Sequence, residues 1–414
     1  MLLIERGISM TFEELYQKVI AAKAKDQALD LQEGSYSKGQ LDCILHPDKH
    51  PMILKKEDCD CTDPACVSAC IFHAMEIKDG NVVIRPELCV GCAECINACE
   101  GGNLDFTKDT VTAIELLKDE KHPVYALMAP AFVGQFGEDA TPAKIRSCLK
   151  QIGFAGMVEV AAFADILTLK EALEFVENIH SPDNFQLTSC CCPVWIGMIR
   201  KDFSKIVSHL PASVSPMIAC GRIVKALHPE CRTVFVGPCL AKKAEAKDPE
   251  LSGAIDCVLT FQELADMFHV FQTDFAAAEA ELREHSSTAG RLYGRTGGVS
   301  KAVGDCVKSI QSDCVFTPET ANGVQNCKAL LEQILTGDVK GNFFEGMACD
   351  GGCAGGPKRV LDTGSCTERI NQYADESPFP TPAENPYVAD LMKRLGFHTV
   401  EDFVEHSKIL TRQL

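Results

Sequence analysis

The cysteines are the residues of this chain whose number and spacing could do chemistry. There are 23 of them in 414 residues, and eight lie in the segment 51–107. Four of these eight have the spacing C-x2-C-x2-C-x3-C, namely Cys89, Cys92, Cys95 and Cys99. Soft thiolates suit iron, and the two-residue gaps let one tight loop present three sulfurs to one cube. The run therefore predicts a 4Fe-4S cluster.

A looser run with the spacing C-x-C-x4-C-x3-C precedes it and consists of Cys59, Cys61, Cys66 and Cys70. When two such runs hold two clusters, the fourth cysteine of each run binds the cluster of the other. This rule assigns Cys99 to the first cluster and Cys70 to the second. Two structural zinc sites are the alternative, although zinc ribbons normally use separated C-x2-C pairs. Glu100 stands where a proline usually follows, and the irregular first run leaves its ligand set open.

Three further cysteine motifs occur at residues 188–195 (TSCCCPVW), 236–245 (VGPCLAKKAE) and 344–356 (FEGMACDGGCAGG). They supply four thiolates from distant loops, which is enough for another cubane, and they leave spare cysteines and a lysine beside it. Glycines around Cys349 and Cys353 would let the backbone approach a bulky group without Cβ clashes. Inert buried cysteines are the alternative. That alternative does not explain six cysteines in loops punctuated by Gly and Pro.

Composition restricts the function classes. A net charge of −18 argues against nucleic-acid binding, which needs a basic face. No apolar stretch has the length of a membrane span. The N-terminus lacks the pattern of a signal peptide and a twin-arginine pair. We therefore expect a cytoplasmic, oxygen-poor setting, in which the cysteines serve metals or catalysis and not disulfides.

Periodicity and composition divide the chain into four predicted regions. They are a helical leader, a small two-cluster domain, a large domain and a C-terminal segment, at residues 1–50, 51–107, 120–365 and 366–414. The leader contains a predicted helix over residues 11–25. It also contains Cys43, His46 and His50, which could form a metal site, although histidines in such a loop are usually only solvated. In the two-cluster domain, Asp79-Gly80 predicts a two-residue hairpin.

The large domain alternates strands and helices. Apolar runs predict strands at residues 124–128, 157–160, 233–236 and 255–259. Thr260 and Glu263 have the spacing of a capping box at the start of a helix. This alternation predicts an α/β fold with parallel sheet, in which ligands bind beyond the carboxyl ends of strands, as Cys239 would. Residues 366–386 are predicted to be a surface loop, and residues 386–414 a closing helix.

Together, the three motifs and the eight cysteines resemble those of the FeFe hydrogenases, iron-only enzymes that interconvert protons and dihydrogen. The resemblance covers residues 51–414, with the motifs in the family's order and at comparable spacing. It implies an α/β large domain of two lobes with mixed and parallel sheets, preceded by a ferredoxin-like domain with two accessory 4Fe-4S clusters. The segment that begins at Glu384 resembles the family's small-subunit region.

Carried over position by position, the resemblance implies an active-site cubane bound by Cys192, Cys239, Cys349 and Cys353. Cys353 would also bridge to a diiron subsite that bears CO, cyanide and a dithiolate. Lys242 matches the lysine that holds an iron-bound cyanide, where a compact cation with three donors suits a small anion. Other positions that match residues lining the cyanides are Pro130, Ala131, Ser215 and Pro216.

The resemblance also implies a path for protons. With the first motif aligned on Pro193-x-Trp195, Cys191 matches the cysteine that passes a proton to the amine of the dithiolate, a general acid–base role. The acids that match the family's proton route are Glu171, Glu174 and Glu245. Thr168 and Glu171 also have the spacing of a capping box, so Glu171 could instead stabilise the start of a helix.

The chain departs from the family pattern in its first motif, which has three consecutive cysteines, as in a divergent branch. Alignment on Thr188-Ser189 would make Cys190 the relay and Cys191 the ligand. We hypothesise that the surplus thiol can bind and shield the open iron site under oxidising conditions. Unchanged oxygen tolerance after single replacement of Cys190 and of Cys191 would refute this. Other departures are Gly237 for Met, Met217 for Gln and Pro211 for Ser.

These observations predict reversible oxidation and evolution of dihydrogen. Electrons would pass through the accessory clusters to or from a ferredoxin-type carrier, and maturation proteins would deliver the diiron subsite. One alternative is an H2-sensing homologue with slow turnover, although we recognise no sensory or output segment. The other is a hydrogenase-like iron–sulfur protein with cubanes only, which would have no use for a cyanide-binding Lys242.

Overall fold

The computed structural model describes residues 9–56, 59, 61, 64–181, 184–189, 191–283, 285–399, 402 and 408–413. The strands are β1 (Ile53–Lys55), β2 (Met75–Lys78), β3 (Asn81–Ile84), β4 (Leu104–Phe106), β5 (Val124–Met128), β6 (Gly156–Glu159), β7 (Gln186–Leu187), β8 (Arg232–Gly237), β9 (Cys257–Thr260), β10 (Pro318–Asn322) and β11 (Phe343–Met347).

The helices are α1 (Phe12–Ala24), α2 (Lys38–Leu45), α3 (Ala65–Ser68), α4 (Glu94–Asn97), α5 (Thr110–Lys118), α6 (Pro142–Gln151), α7 (Ala161–Asn178), α8 (Pro193–Asp202), α9 (Pro216–Leu227), α10 (Ala241–Ala246), α11 (Phe261–Val270), α12 (Thr288–Leu292), α13 (Gly298–Ile310), α14 (Val324–Thr336), α15 (Thr363–Asp375) and α16 (Pro386–Arg394). None of the helices in these described ranges combines the length and the hydropathy that crossing a bilayer requires.

Helix α1 confirms the helix predicted for the leader. It begins at a capping box, in which Thr11 accepts the Glu14 N–H and Glu14 accepts the Thr11 N–H. Its apolar face is buried in the same hydrophobic core as α5 and α11. Cys43 is buried in α2, and the His50 ring is hydrogen-bonded to Asp42 (Nε2 to Oδ2, 2.9 Å). Among the described residues, no three His, Cys, Asp or Glu side chains are arranged to hold a single metal ion.

The two-cluster region contains two small antiparallel pairs, β1 with β4 and β2 with β3. The hairpin predicted at Asp79-Gly80 is confirmed, because both residues have positive φ (51° and 77°), as the tight turn between twisted strands requires. Apolar residues of this region, such as Phe72 and Met75, share one hydrophobic core with α8, α14 and β11. The region is therefore packed onto the large domain.

Two parallel sheets form the large domain. The first has the strand order β6-β5-β8-β9, and the second has the order β10-β11-β7. Each buried strand is rich in apolar residues, as expected for strands covered on both faces. The predicted α/β fold with parallel sheet is confirmed. The connection after β8 and the segment after β11 carry the second and third cysteine motifs.

Two local predictions are wrong. Thr168 and Glu171 lie in the middle of α7, so Glu171 does not stabilise a helix start. The Thr168 hydroxyl instead bonds to the carbonyl of Ala164 on the preceding turn (2.9 Å). Residues 366–386 are not one surface loop, because α15 extends to Asp375 and buries its face of Cys366, Ile370, Tyr373 and Ala374.

The closing helix predicted over residues 386–414 is α16, followed by a short 3-10 turn at Lys408–Leu410. Residues 400, 401, 403–407 and 414 lie outside the described residues.

Asp165 ties α7 to two other parts of the chain. Its buried carboxylate accepts the Ser287 N–H (2.8 Å) at the start of α12 and the side-chain amide of Asn385 (3.1 Å) before α16. Burial raises the pKa of Asp165 to about 6, although these hydrogen bonds lower it. Because the folded state keeps this proton to higher pH than the unfolded state, Asp165 makes the fold less stable as pH rises through 6.

We expect Asp165→Asn to remove this dependence. Between pH 5 and pH 7, the free energy of unfolding of the wild type should fall by about 1 kcal/mol relative to the variant, because roughly one pKa unit of the shift titrates there. Chemical denaturation at several pH values measures this difference. A constant difference between the two proteins across this range would contradict the assignment.

Candidate active site

The four cysteines assigned to the active-site cubane lie at the ends of regular elements. Cys192 directly precedes α8, and Cys239 lies between β8 and α10. Cys349 follows β11, and Cys353 lies in a short 3-10 turn. All four side chains are partly buried. The carboxyl ends of β8 and β11 therefore carry three of the four sulfurs, where parallel sheets usually bind ligands.

The structure brings these four cysteines together. Burial and the nearby Cys192 thiol together raise the pKa of Cys239 to about 11; burial, Cys239 and Cys192 raise that of Cys353 to about 12. The pKa of Cys349 lies well above its usual range because of burial and because of Cys239, Cys192 and Cys353. Every pair among the four thiols is thus close enough for one thiolate to oppose the ionisation of the other. Such a group of thiols suits a metal cluster that takes up the negative charge.

Close backbone packing holds the third motif in place. A Cβ on Gly346 of β11 would lie 2.0 Å from the indole of Trp195 on α8. The Trp195 Nε1–H donates to the Thr188 carbonyl (3.1 Å), and the Ala348 N–H donates to the Cys192 sulfur (3.5 Å). These contacts fix α8 and Cys192 against the strand that leads to Cys349. Sequence reasoning missed the role of Trp195, although its place within the first motif was visible.

Lys242 is buried beside the thiols and points into a hydrogen-bond network. Its Nζ lies 2.7 Å from Glu245 Oε2, and the Ser215 hydroxyl donates to the same oxygen (3.1 Å). Burial lowers the pKa of Lys242, but Glu245, Cys239 and Cys353 more than compensate, so the pKa is raised. The structure thus joins three of the predicted residues, Lys242, Glu245 and Ser215, and keeps the ammonium charged.

Cys191 is buried next to two carboxylates. Burial raises its pKa well above the usual range, and further contributions come from Cys192, Glu345, Cys353 and Glu171. Glu171 accepts hydrogen bonds from the Ser189 N–H (3.2 Å) and hydroxyl (3.0 Å). This places Glu171 beside the cysteine loop. Cys190, and with it the alternative alignment of the motif, lies outside the described residues.

Glu345 is a buried carboxylate that sequence reasoning missed. It accepts the Gly297 N–H (2.8 Å) and the Ser300 N–H (2.7 Å), so it caps the start of α13. Burial raises its pKa, whereas the Ser300 and Gly297 hydrogen bonds lower it. The available sequence signal was the position of Glu345 in the FEGMAC motif. The predictions for that motif, however, concerned its cysteines and glycines.

Glu174 lies one turn after Glu171 on α7 and is separated from the loop. One oxygen pairs with the buried Lys170, and the other is buried with no hydrogen-bond partner among the described residues. Burial raises the pKa of Glu174, although Lys170 lowers it. The Lys170 pairing was not predicted. The sequence signal for this pair was that Lys170 and Glu174 are four residues apart and so lie on one face of the helix.

Of the remaining predicted positions, Pro130 with Ala131 and Ser215 with Pro216 each lie at the start of a helical turn. Pro130 and Ala131 follow β5 in a 3-10 turn, and Ala131 is fully buried. Pro216 begins α9 after its cap, Ser215. A Cβ on Gly237 would lie 2.8 Å from the ring of Phe235, which explains why a larger residue does not fit at this departure from the family pattern.

The eight cysteines of the small region fall into two groups. Cys66 interacts with Cys99, Cys59 and Cys61, each of which raises its pKa in addition to burial. Burial raises the pKa of Cys95 to about 12, and the nearby thiols of Cys92, Cys89 and Cys70 contribute to this shift. The structure therefore brings together the two crossed sets that the sequence predicted. Cys66 also acts on Cys95, so the two groups are adjacent.

The second of these groups also adjoins the active-site cysteines. Gly91 has a positive φ of 76°, and a Cβ there would lie 2.9 Å from the Cα of Ala241, the first residue of α10, which directly precedes Lys242. Cys92 and Cys349 line the same cavity of about 660 Å³. Only glycine permits this backbone approach. The inner group of cysteines in the small region therefore lies next to the active-site cysteines.

Fold and site together are those of an iron–sulfur protein with a hydrogenase-type large domain. Residues 122–357, more than half of the chain, match the family model described as iron only hydrogenase large subunit, C-terminal domain. The chain belongs to this family, and the resemblance to FeFe hydrogenases is confirmed.

Relatives of two kinds are similar to the chain. Iron hydrogenase 1 of Clostridium pasteurianum is 28% identical over 308 residues, which are 62% of this chain and 52% of that protein. The NADP-reducing hydrogenase subunit HndD of Solidesulfovibrio fructosivorans is 26% identical over 384 residues, 78% of this chain and 66% of that protein. The chain thus spans between half and two thirds of these relatives. A probable cytosolic Fe-S cluster assembly factor of Drosophila grimshawi is 22% identical over 376 residues, 74% of this chain and 79% of that protein.

Among solved structures, the apo FeFe-hydrogenase HydA1 from Chlamydomonas reinhardtii has a similar fold. The TM-score is 0.58 at 21% identity, and the match covers 73% of this chain and 98% of that one. This likeness supports the fold, and the predicted hydrogenase-like architecture is confirmed.

We expect Gly346→Ala to disturb the active-site cysteines, because its Cβ overlaps the Trp195 indole. Overpacking of this kind costs about 1–3 kcal/mol, and the resulting shift of α8 should reduce the iron bound at Cys192. Thermal unfolding and iron content per chain measure both effects. Gly156→Ala is the matched control, because a Cβ there meets only Tyr125 at 3.6 Å. Equal iron content in the two variants would contradict this role of Trp195.

Proposed function

We propose that this chain interconverts protons and dihydrogen at a cluster held by Cys192, Cys239, Cys349 and Cys353. The observation that carries the proposal is the buried ammonium of Lys242, which faces the thiols of Cys239 and Cys353 and stays charged. A buried cation needs an anionic partner. Glu245 supplies one such partner, but an ion pair with Glu245 does not require Lys242 to lie beside the thiols. A cyanide-bearing diiron unit on Cys353 would account for that position.

The residues present fit such a cofactor. Four thiols converge, the glycine-rich third motif lets the backbone come close, and Lys242 lies beside Cys353. When bound, a 4Fe-4S cluster linked to a diiron unit with CO, cyanide and a dithiolate would supply the redox and hydrogen-splitting chemistry. The protein would bind this group through its thiolates and hold its cyanide with Lys242.

Cys191 would exchange protons with the site. Glu171 accepts a hydrogen bond from the Ser189 hydroxyl in the cysteine loop. Pro211 stands where the family has a serine in the proton route, and Ser189 would take over the role of that serine. Glu174 would continue the route outward, next to Lys170. We assign Glu245 mainly to the orientation of Lys242, because its Oε2 bonds to that ammonium.

Electrons would enter through the cysteines of the small region. Cys61 is exposed and belongs to the outer group, whereas Cys92 shares a cavity with Cys349. Two accessory 4Fe-4S clusters in these groups would connect the surface to the active site. We propose a ferredoxin-type carrier, maturation proteins that deliver the diiron unit, and a cytoplasmic setting, where thiolate ligands stay reduced.

A second function is favoured by the likeness to the cytosolic Fe-S cluster assembly factor. In that case, the four cysteines of the large domain would hold a cubane only, and the chain would handle clusters or electrons without turning over dihydrogen. The first proposed function requires a bound diiron unit, and the second does not.

We expect the cubane-loaded chain, incubated with a synthetic diiron complex bearing CO and cyanide, to show infrared bands of both ligands and to evolve H2. Lys242→Met should lower H2 evolution by about a hundredfold, the range typical when a preorganised electrostatic contact is lost. Lys247→Met, which removes an exposed lysine at the other end of α10, is the control. Wild-type protein without such bands would favour the cubane-only function.

The crossed ligand sets can be tested by iron content. The double variant Cys70→Ser, Cys89→Ser should lose one cluster, because we assign both of these neighbouring residues to the same one. The double variant Cys99→Ser, Cys89→Ser should lose two. The control is Cys314→Ser, which alters a cysteine outside both groups. Loss of two clusters from the first double variant would reverse the assignment of Cys70.

A further inference from the structure

The C-terminal segment 408–413 lies against the loop that precedes α9. The Val214 N–H donates to the Leu410 carbonyl (2.9 Å), and the Arg412 N–H donates to the Ala212 carbonyl (3.1 Å). Arg222 of α9 also donates to the carbonyls of Ile409 (3.1 Å) and Thr411 (2.9 Å). This loop ends at Ser215, whose hydroxyl donates to Glu245. The segment is therefore attached next to the network that holds Lys242.

Arg412 extends this network. Its side chain is buried, and its Nη1 lies 3.8 Å from Glu245 Oε1, the oxygen that Lys242 and Ser215 leave free. Within the described part of the chain, Glu245 Oε1 and Arg412 Nε have no hydrogen-bond partner. Glu245 thus lies between two buried cations.

The charge balance gives this contact a consequence. Lys242 and Glu245 alone form a neutral pair, whose ammonium is largely compensated by its own carboxylate. With Arg412, two positive charges share one negative charge, and a net positive charge remains at Lys242, on the side of Cys239 and Cys353. Inside a protein such an excess charge acts on a nearby anion much more strongly than it would in water.

We propose that Arg412 is a positioning residue of the active site, which orients Lys242 through Glu245 and supplies the excess positive charge for an anionic diiron ligand. The inference rests on the proposed function. It assigns to the C-terminal segment a part in binding the cofactor, in addition to its packing on α9.

The experiment uses the full-length, cubane-loaded chain and a synthetic diiron complex that bears CO, cyanide and a dithiolate. Its uptake is followed by the infrared bands of cyanide, and the cubane content is measured on the same samples. Arg412→Met should weaken uptake by about tenfold and shift the cyanide bands, whereas Arg412→Lys should largely restore both. Arg394→Met, which removes an exposed positive charge on α16, is the control and should match the wild type.

The possible outcomes are distinct. Equal uptake and equal cyanide bands in the wild type and in Arg412→Met would overturn the inference but leave the proposed function intact. An Arg412→Met chain that also loses its cubane would have a structural defect and would overturn the inference as well. Wild-type protein that takes up no diiron complex would overturn the inference together with the proposed function.

Discussion

The mutual repulsion of four clustered thiolates is the constraint on which the site depends. Ionisation of the thiols at Cys239, Cys349 and Cys353 is opposed by burial and by the neighbouring thiols, Cys192 among them. Without a metal, such a group would remain protonated. A cluster that binds all four thiolates removes the repulsion and links three separate parts of the chain, so metal binding and local folding are coupled. The carboxyl ends of β8 and β11 are the places where this fold can bring the sulfurs together.

Two adjacent lysines show how the short helix α10 keeps its orientation. Lys242 faces the thiols and Glu245, whereas Lys243 lies 2.6 Å from Asp109 Oδ2 and 3.0 Å from Glu263 Oε1. Asp109 belongs to the connection between the small region and α5, and Glu263 is the capping residue of α11. Breaking a buried ion pair typically costs about 3–5 kcal/mol. A rotation of α10 would break pairs on both sides, so Lys243 helps to fix Cys239 and Lys242.

The sequence predicts those features that local patterns determine. The hairpin at Asp79-Gly80, the capping box at Thr260 and the parallel strands follow from turn residues and apolar runs. The same local reasoning fails at Glu171. Thr168 and Glu171 have the spacing of a capping box, but they lie inside α7, which begins already at Ala161. It also misses Arg412, because a contact between the C-terminal segment and α10 leaves no local pattern. The cysteine spacing is informative because a cluster, unlike a core, requires particular residue types at fixed separations.

The packing of the small region bears on the choice between the two proposed functions. Phe72 and Met75 share a hydrophobic core with Trp195 and Phe344, and Gly91 touches Ala241. The inner group of accessory cysteines is therefore fixed relative to the active-site thiols. A protein that hands clusters to others needs a site that opens, whereas an electron path needs a short and constant separation between its centres. The fixed contact occurs beside Cys239 and Lys242, and it therefore supports the proposed electron path to that point.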